Sequence, residues 1–369
     1  MKKRRPAGKA APLLAALLIF ACLLAVFALR QPEKLPETNG AAQAASAPES
    51  DCLEVHFLDI GQGDSALLFC GGETMLIDGG KVKSNQTLIS RLRELGVKHL
   101  NTIICSHPDE DHCGGLSAVL ASLTADTFYC SVDSWHTKAF SDVVKYADEQ
   151  QLSITIPQPG DSFSFGGASV TFLGPVQDYG DDPNEGSLVA RVQYGSTSVL
   201  FTGDMGFEAE DDMLAAGVDV SATVLKVAHH GSAGSSSREF LEAVSPQYAV
   251  ISVGADNDYG HPTEAALNRL KKCSIPVYRT DLLGEIVAVC DGQRVTITYG
   301  EQASSTENSA APEEESFSYV GNRSSMVVHS AACGRLPAEG NRVYFKTLDE
   351  ALAAGYRRHA GCLGDSAAS

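Results

Sequence analysis

Six consecutive residues, His107 to His112 within "SHPDEDHCGG", carry two imidazoles and three carboxylates. Imidazole and carboxylate are the protein ligands of zinc, iron and manganese. Three adjacent carboxylates repel one another unless cations neutralise them, so the stretch points to a metal site rather than to a solvated acidic loop. The same residue types end three other apolar runs. "LFTGD" finishes on Asp204, "LKVAHHGS" carries His229 and His230, and "ISVGADNDYGHP" passes through a turn to His261. A lone core histidine is usually structural, whereas four ligand-bearing strand ends on one chain argue for a shared centre. No G-x-S-x-G segment offers a serine nucleophile.

A second set of metal-type residues lies near the C-terminus: His329-x3-Cys333, then 25 residues, then His359-x2-Cys362. Two close N/S pairs across a short hairpin-and-helix segment match a structural zinc site. A module of about 50 residues also has too little core to fold comfortably without such a staple.

These residues need a scaffold. "TIIC" reads as a strand and the acidic stretch begins where it ends, the usual place for ligands in mixed α/β folds. "LEVHFLDIG", "DSALLFC" and "TMLIDGG" predict three more strands. "SNQTLISRLRELG" predicts a helix with Leu88, Leu92 and Leu95 on one face, closed by Gly96. Downstream, strand-like runs such as "TSVLFTGD", "YAVISVG" and "EIVAVC" alternate with helical "SSREFLEAVS" and "TEAALNRLKKC". The pattern predicts an α/β sandwich, sheets packed together with helices outside.

Composition shifts divide the chain. Residues 1–30 combine five basic residues by position 9 with an uncharged run, Ala11 to Leu29, long enough to approach a bilayer's thickness. The basic cluster favours a cytoplasmic N-terminus. The segment is therefore expected to be a membrane anchor with the rest of the chain extracellular, or, given the Ala-rich sites that follow, a cleaved signal peptide. Residues 31–52 and the acidic 301–317 read as linkers rich in Pro, Ala, Ser and Glu. They leave a large domain at 53–300 and a small module at 318–365. With 369 residues, 44% of them hydrophobic, the chain can bury one large core and a smaller one. Most of its ten cysteines, such as Cys70, Cys105 and Cys290, lie singly in apolar runs and are expected as buried thiols. A Cys273–Cys290 bridge is the competing arrangement.

Residues 53–300 resemble the metallo-β-lactamase fold, and within it the hydrolase domain of ComEC-type DNA-uptake (competence) proteins. "FLDIGQGDSALL", "MLIDGG", "SHPDEDHCGGL", "NEGSLVARVQYGSTSVLFTGD", "LKVAHHGS", "SVGADNDYGHPT" and "YRTDLLGEI" carry the likeness in family order. It implies an αββα sandwich with two divalent ions, zinc or manganese. A water bridging two such ions, held about 3.5–4 Å apart, is the attacking species in sites of this kind. The family motif H-x-H-x-D-H becomes His107, Asp109, Asp111 and His112, with Asp in place of the second His. By resemblance His107 and Asp109 serve the first ion, Asp111 and His112 the second, and Asp204 bridges both, with Asp111 or Asp204 orienting the nucleophile. His229 or His261 completes the second site, while His230, with Ser232, contacts substrate or assists the leaving group. A further family His normally precedes the bridging Asp. Here "NEGSLVAR" stands in that region, with Asn184 as the candidate replacement. Asp59, Gln62, Asp64 and Asp78 are expected to shape the floor of the site.

Residues 318–365 resemble the metal-binding module of the Ada DNA-repair protein in "YVGN", "NRVYF" and "EALAAGYR", which implies one structural zinc on His329, Cys333, His359 and Cys362. Both resemblances imply DNA as substrate and phosphodiester hydrolysis as the reaction. With a single apolar run, the chain is expected to work alone or beside a separate DNA-uptake channel. A net charge of −18 excludes a broad basic surface, so DNA contact is expected to be local and metal-dependent, with Lys226, Arg279, Arg342, Arg357 and Arg358 as local cations. Two alternatives stand beside this reading: hydrolysis of another small ester, such as a phosphorylcholine or lactone, and a non-catalytic DNA-binding protein. A β-lactamase is least expected, because that branch needs the His that Asp109 replaces.

Overall fold

The computed structural model describes residues 52–300, except 256, and most of 318–363. The expected anchor at 1–30 and the linkers at 31–52 (all but Cys52) and 301–317 lie outside the described residues. Among the described residues, no helix is long and apolar enough to cross a membrane. The chain divides into two compact units, Met1–Ser304 and Ser305–Ser369.

The first unit opens with β1 (Leu53–Phe57), β2 (Ala66–Cys70), β3 (Glu73–Ile77), β4 (His99–Cys105), β5 (Thr124–Cys130) and β6 (Ile154–Thr155). Seven strands follow: β7 (Ser162–Phe165), β8 (Ala168–Gly174), β9 (Val189–Tyr194), β10 (Thr197–Phe201), β11 (Val224–Lys226), β12 (Tyr248–Ile251) and β13 (Val277–Arg279). Then β14 (Ile286–Cys290) and β15 (Val295–Tyr299) return to the first sheet, whose order is β15-β14-β1-β2-β3-β4-β5-β6. The second sheet runs β13-β12-β11-β10-β9-β8-β7.

Side-chain alternation explains the layering. In β2 and β3, Leu68 and Met75 face the second sheet and meet Phe172, Val192 and Phe201 in a core between the sheets. Their neighbours Leu67 and Leu76 face the other way, onto Leu88 and Leu92 of helix Asn85–Glu94 and Phe140 and Val143 of helix Lys138–Glu149. The second sheet repeats the device. Val199, Val224 and Val250 point inward, while Leu200, Leu225 and Ala249 pack on Met213, Phe240 and Leu270 from helices Phe207–Ala215, Arg238–Val244 and Glu264–Lys272. Strands such as β2 and β10 are consequently buried at every position, the signature of sheets covered on both faces. The expected αββα sandwich is the architecture found. Helix Asn85–Glu94 also closes as predicted, with Leu95 as its cap and Gly96 at φ +78°.

Cys70, Cys105 and Cys290 are buried and unbridged. The Cys273–Cys290 bridge does not form, and the layering shows why: Cys290 belongs to the core between the sheets, whereas Cys273 packs against the outer helical layer.

The second unit is a small sheet, β16 (Tyr319–Asn322), β17 (Val327–Ser330), β18 (Arg342–Phe345) and β19 (Arg357–Arg358), ordered β18-β16-β17-β19. Short helices Leu348–Ala353 and Ala360–Leu363 accompany it. Its core among the described residues is slight: Val320, Val328, Ala351 and Tyr356 are buried, with a few half-buried side chains around them.

Candidate metal centre

In each sheet a block of parallel strands, β3-β4-β5 in one and β10-β11-β12-β13 in the other, ends at the same rim. β3 runs into Asp78, β4 into Ser106 and His107, β10 into Asp204, β11 into His229 and His230, and β12 into Ser252. One short helix, Glu110–Cys113, returns Asp111 and His112 to that rim. The "DIGQGD" loop is packed tightly onto it: the Asp64 amide donates to Asp111 O at 3.0 Å, and a Cβ on Gly63, at φ +135°, would stand 2.5 Å from that oxygen. Three non-glycine residues at the rim, Asp78, His229 and His230, have φ between 51° and 59°. Left-handed backbone at such residues costs on the order of 1–3 kcal/mol each and concentrates at functional sites.

His107, His112 and His230 are fully buried and oriented alike. Asp78 Oδ2 accepts from His112 Nδ1 at 2.8 Å, and Ser252 O accepts from His230 Nδ1 at 3.0 Å. The Ser106 hydroxyl donates to Asp78 Oδ2 at 2.7 Å, so at 3.1 Å it accepts from His107 Nδ1. All three rings therefore turn Nε2 away from these partners, and all three Nε2 atoms are buried without a hydrogen-bond partner. His112 Nε2 lies 3.0 Å from Asp204 Oδ1, outside hydrogen-bond alignment, and His230 Nε2 lies 3.6 Å from both Asp111 Oδ2 and Asp204 Oδ2. Imidazoles fixed by a hydrogen bond at one nitrogen and open at the other are how proteins hold divalent metals. The residues present fit that group.

The electrostatics agree. Burial, reinforced by His112, lowers the His107 pKa to about 3, which keeps this ring neutral. Burial also opposes charge on His112 and His230, but Asp204 with Asp78 outweighs it at His112, and Asp204 with Asp64 raises His230 to about 9. Burial works against ionised Asp204 and Asp111 too, yet the surrounding histidines hold both carboxyls below the usual range. A pocket with this much negative charge attracts a cation, whether a proton on imidazole or a metal ion. Asp64 stands behind His230, its Oδ1 3.1 Å from Nδ1 and its Oδ2 2.7 Å from the buried ammonium of Lys226. Burial would raise the Asp64 pKa, but Lys226 and His230 together outweigh it, and the value falls to about 2. Thiols brace the ligand loop: Cys105 Sγ donates to His107 O and Cys113 Sγ to Pro108 O, each at 3.1 Å.

All seven residues expected as metal ligands come together here, with changed roles for some. His230, expected to touch substrate, is the buried residue whose Nε2 faces the two carboxylates. His229, with Nε2 3.6 Å from Asp204 Oδ2, and His261, with its ring 5.6 Å from that of His229, form the outer rim. Asp109 is also at the rim, its Oδ2 3.9 Å from His107 Nε2, and burial together with Asp111 raises its pKa. Asp78 and Asp64 hold ring nitrogens as described, and the Gln62 carbonyl accepts from Gly254 N at 3.2 Å. Asp59 is exposed, and its Oδ1 accepts from Gly61 N within its own turn. Ser232 likewise accepts from Gly234 N. In the stretch where Asn184 is expected to replace the absent family His, the Ser187 hydroxyl accepts from Asp204 N at 3.1 Å. The Asn184 backbone N–H donates to Asp182, and its side-chain Oδ1 is buried without a hydrogen-bond partner. Sequence reasoning missed Lys81 and Tyr259. Lys81 Nζ lies 3.9 Å from Asp111 Oδ2 and donates to Tyr259 OH at 3.2 Å, and the Tyr259 ring, 59% exposed, stacks on His261. The only signal for them is that Lys81 follows the glycine pair of "LIDGGK" and Tyr259 precedes "GHP".

In the second unit, His329, Cys333, His359 and Cys362 place one ligand atom each within 4.8 Å of one another. The Cys333 Sγ lies 3.5 Å from His329 Nδ1 and 3.9 Å from His359 Nδ1, and Cys362 Sγ lies 3.2 Å from His359 Nδ1. A tetrahedral zinc with ordinary bond lengths has an N-to-S edge of about 3.6 Å, which these separations bracket. Both cysteines are unbridged.

Residues 58–255 match the family described as the metallo-beta-lactamase superfamily. Competence protein ComA of Neisseria gonorrhoeae is 34% identical over 266 residues, covering 72% of this chain and 34% of that protein. ComE operon protein 3 of Bacillus subtilis is 31% identical over 253 residues, covering 63% of this chain and 32% of that one. The chain thus spans about a third of the length of these curated relatives. Among solved structures, the metallo-beta-lactamase fold protein YhfI from Bacillus subtilis aligns with a TM-score of 0.45 at 16% identity, over 65% of this chain and 100% of that one.

Proposed function

Because the chain belongs to the metallo-β-lactamase superfamily over residues 58–255, we propose that it is a metal-dependent phosphodiesterase that cleaves DNA. The observation that carries this reading is the set of three buried Nε2 atoms without protein partners, those of His112 and His230 facing Asp204 and Asp111 and that of His107 nearest Asp109. His107, His112, Asp111, Asp204 and His230 would hold divalent ions, zinc or manganese, with Asp109 and His229 completing the set at the rim. Such ions supply an activated water and offset the charge that develops on a phosphorus centre. The chain's own residues do the rest. Asp78, Ser106 and Ser252 fix the tautomer of each ring. The Lys226–Asp64 pair steadies His230 from behind. Lys81, at the mouth, supplies the cation that a non-bridging phosphate oxygen needs.

Competence-type relatives support DNA as the substrate class, and the four-ligand cluster of the second unit supports one structural zinc there. The N-terminal basic and apolar residues support a further part of the proposal, that the centre works outside the membrane, alone or beside a separate uptake channel. Protease accessibility of the chain in intact cells tests it. The segment "NEGSLVAR", which lacks the further family His, favours the second reading, a DNA-binding protein without catalysis.

The deciding experiment assays the full-length chain on single- and double-stranded DNA with manganese or zinc, beside Asp204→Ala. Metal-dependent cleavage that falls on the order of 10³-fold in the variant supports the phosphodiesterase. Bound metal with no cleavage by either protein would move the reading to a small-ester hydrolase, and no bound metal to the binding protein.

A further inference from the structure

Beside the metal centre lies a cleft of about 390 Å³ that none of the residues discussed so far requires. It starts one residue away. Ser187, whose hydroxyl meets Asp204 N, is flanked by Gly186 and Leu188, and both line the cleft. Leu188 N in turn donates to Ser106 O at 2.8 Å, next to His107. The opposite side begins at Ser131, just past β5, where Cys130 pairs in register with Cys105 of β4. Cleft and centre therefore share one rim.

The chemistry of the walls is unlike that of the centre. Trp135, the only tryptophan in the chain, is half-buried in one wall, and Tyr179 stands in the lining with Pro157 and Pro175. Tyr179 is pinned, because its hydroxyl donates to Asp212 Oδ2 at 2.9 Å. The lining contains no lysine or arginine, and its charged members are Asp178 and Asp182, each accepting a backbone N–H. An anion is repelled by such a cleft, so a substrate phosphate stays with the centre and with Lys81. A neutral, flat group with a polar edge fits instead. Nucleobases have that character, and they stack on aromatic side chains largely without regard to sequence. The volume lies within the range of about 300–1,000 Å³ usual for small-molecule sites. Only an unpaired base can offer its face and its edge to a protein wall.

Building on the phosphodiesterase reading, we infer that this cleft receives one unpaired nucleobase next to the scissile phosphodiester, so that the preferred substrate is a single strand or a frayed end rather than a closed duplex. Trp135 and Tyr179 are the stacking walls.

The test uses the emission of Trp135 in the full-length chain. AMP is expected to quench it saturably, while ribose 5-phosphate, which carries the same charge without the base, leaves it unchanged. A fluorescein-labelled oligothymidylate should bind more tightly than the same strand in a duplex, and Trp135→Leu should weaken single-strand binding roughly tenfold at unchanged metal content. Quenching by ribose 5-phosphate equal to that by AMP, absence of quenching by either, or equal affinity for duplex and single strand would overturn the inference. The DNA-cleavage assay on the same preparation separates the two readings. Cleavage without AMP quenching overturns the base cleft alone, whereas saturable AMP quenching without cleavage supports the cleft and overturns the phosphodiesterase.

Discussion

The two metal-capable clusters are built in opposite ways. The first lies where fifteen strands and three hydrophobic cores have already fixed the backbone, and its ring nitrogens are set by protein hydrogen bonds. The second lies in a unit whose buried hydrophobic core is Val320, Val328, Ala351 and Tyr356 among the described residues, and its four ligands are mostly half-buried. In the first, folding positions the ligands and a metal would add chemistry. In the second, the cluster itself joins β17 to the chain that follows β19, so a metal there would add stability.

Chelation should break that symmetry most clearly. Removing metal from the full-length chain with a strong chelator is expected to abolish the native amide dispersion of the second unit in an NMR spectrum. Signals from the first unit should persist apart from those at its rim. If both units melted together, the claim that the first centre is preformed would be wrong.

The next effect concerns buried charge. Lys226 and Asp64 are an ion pair with both side chains inside the protein. Removing one member of such a pair leaves the other uncompensated at a cost of about 3–5 kcal/mol. Lys226→Met should therefore lower the urea midpoint of the first unit, and Lys226→Met with Asp64→Asn should recover much of the loss. A lone Lys226→Met that unfolds like wild type would show that water reaches Asp64.

Away from the ligands, Glu210 is buried and receives the amides of Ser236 and Ser237. Burial nevertheless wins and raises its pKa from 4.5 to about 7. The folded state thus binds this proton more tightly than the unfolded chain does. Stability from this residue is fully present below about pH 4.5 and is lost as pH rises through about 7, by at most about 3 kcal/mol at 1.4 kcal/mol per tenfold change. Urea unfolding of the chelated protein at pH 5 and pH 7.5 should show the fall, and Glu210→Gln should flatten it. A wild-type profile as flat as the variant's would mean that Arg269 and the amides hold the carboxylate ionised.

The same contrast between fixed backbone and local chemistry decides what was legible in the sequence. Strand ends carrying His107, Asp204 and the "HH" pair could be read because burial forces apolar runs and the ligands interrupt them. The assignment within "HH" could not. The left-handed turn at His229 and His230 decides which ring goes inward, and adjacent identical residues carry no periodicity. The contact of Ser187 with Asp204 was not legible, because a hydroxyl gives no metal-type signal. Lys81 and Tyr259 meet across 178 residues, a contact that only the sandwich creates. Asp59 and Ser232 stand out through residue type and glycine neighbours, and each of those neighbours marks a turn in which the side chain accepts a backbone N–H.

The smallest expected effect bears on how preformed the first centre is. Asp78 touches no position where a metal would sit. It receives Ser106 N, Ser106 Oγ and His112 Nδ1, at 2.7, 2.7 and 2.8 Å. Asp78→Asn keeps the shape but offers a single acceptor oxygen, and its amide NH2 opposes one of the donors that now converge on the carboxylate. His112 then loses the partner that fixes its tautomer, and metal affinity should fall about 10–100-fold, with little change in the urea midpoint of the chelated protein. Competition with a zinc-binding dye measures the first quantity and circular dichroism the second. Unchanged affinity would mean that His112 is held by packing against His107, whose ring lies 4.1 Å away, and that the hydrogen bond to Asp78 is incidental to the site.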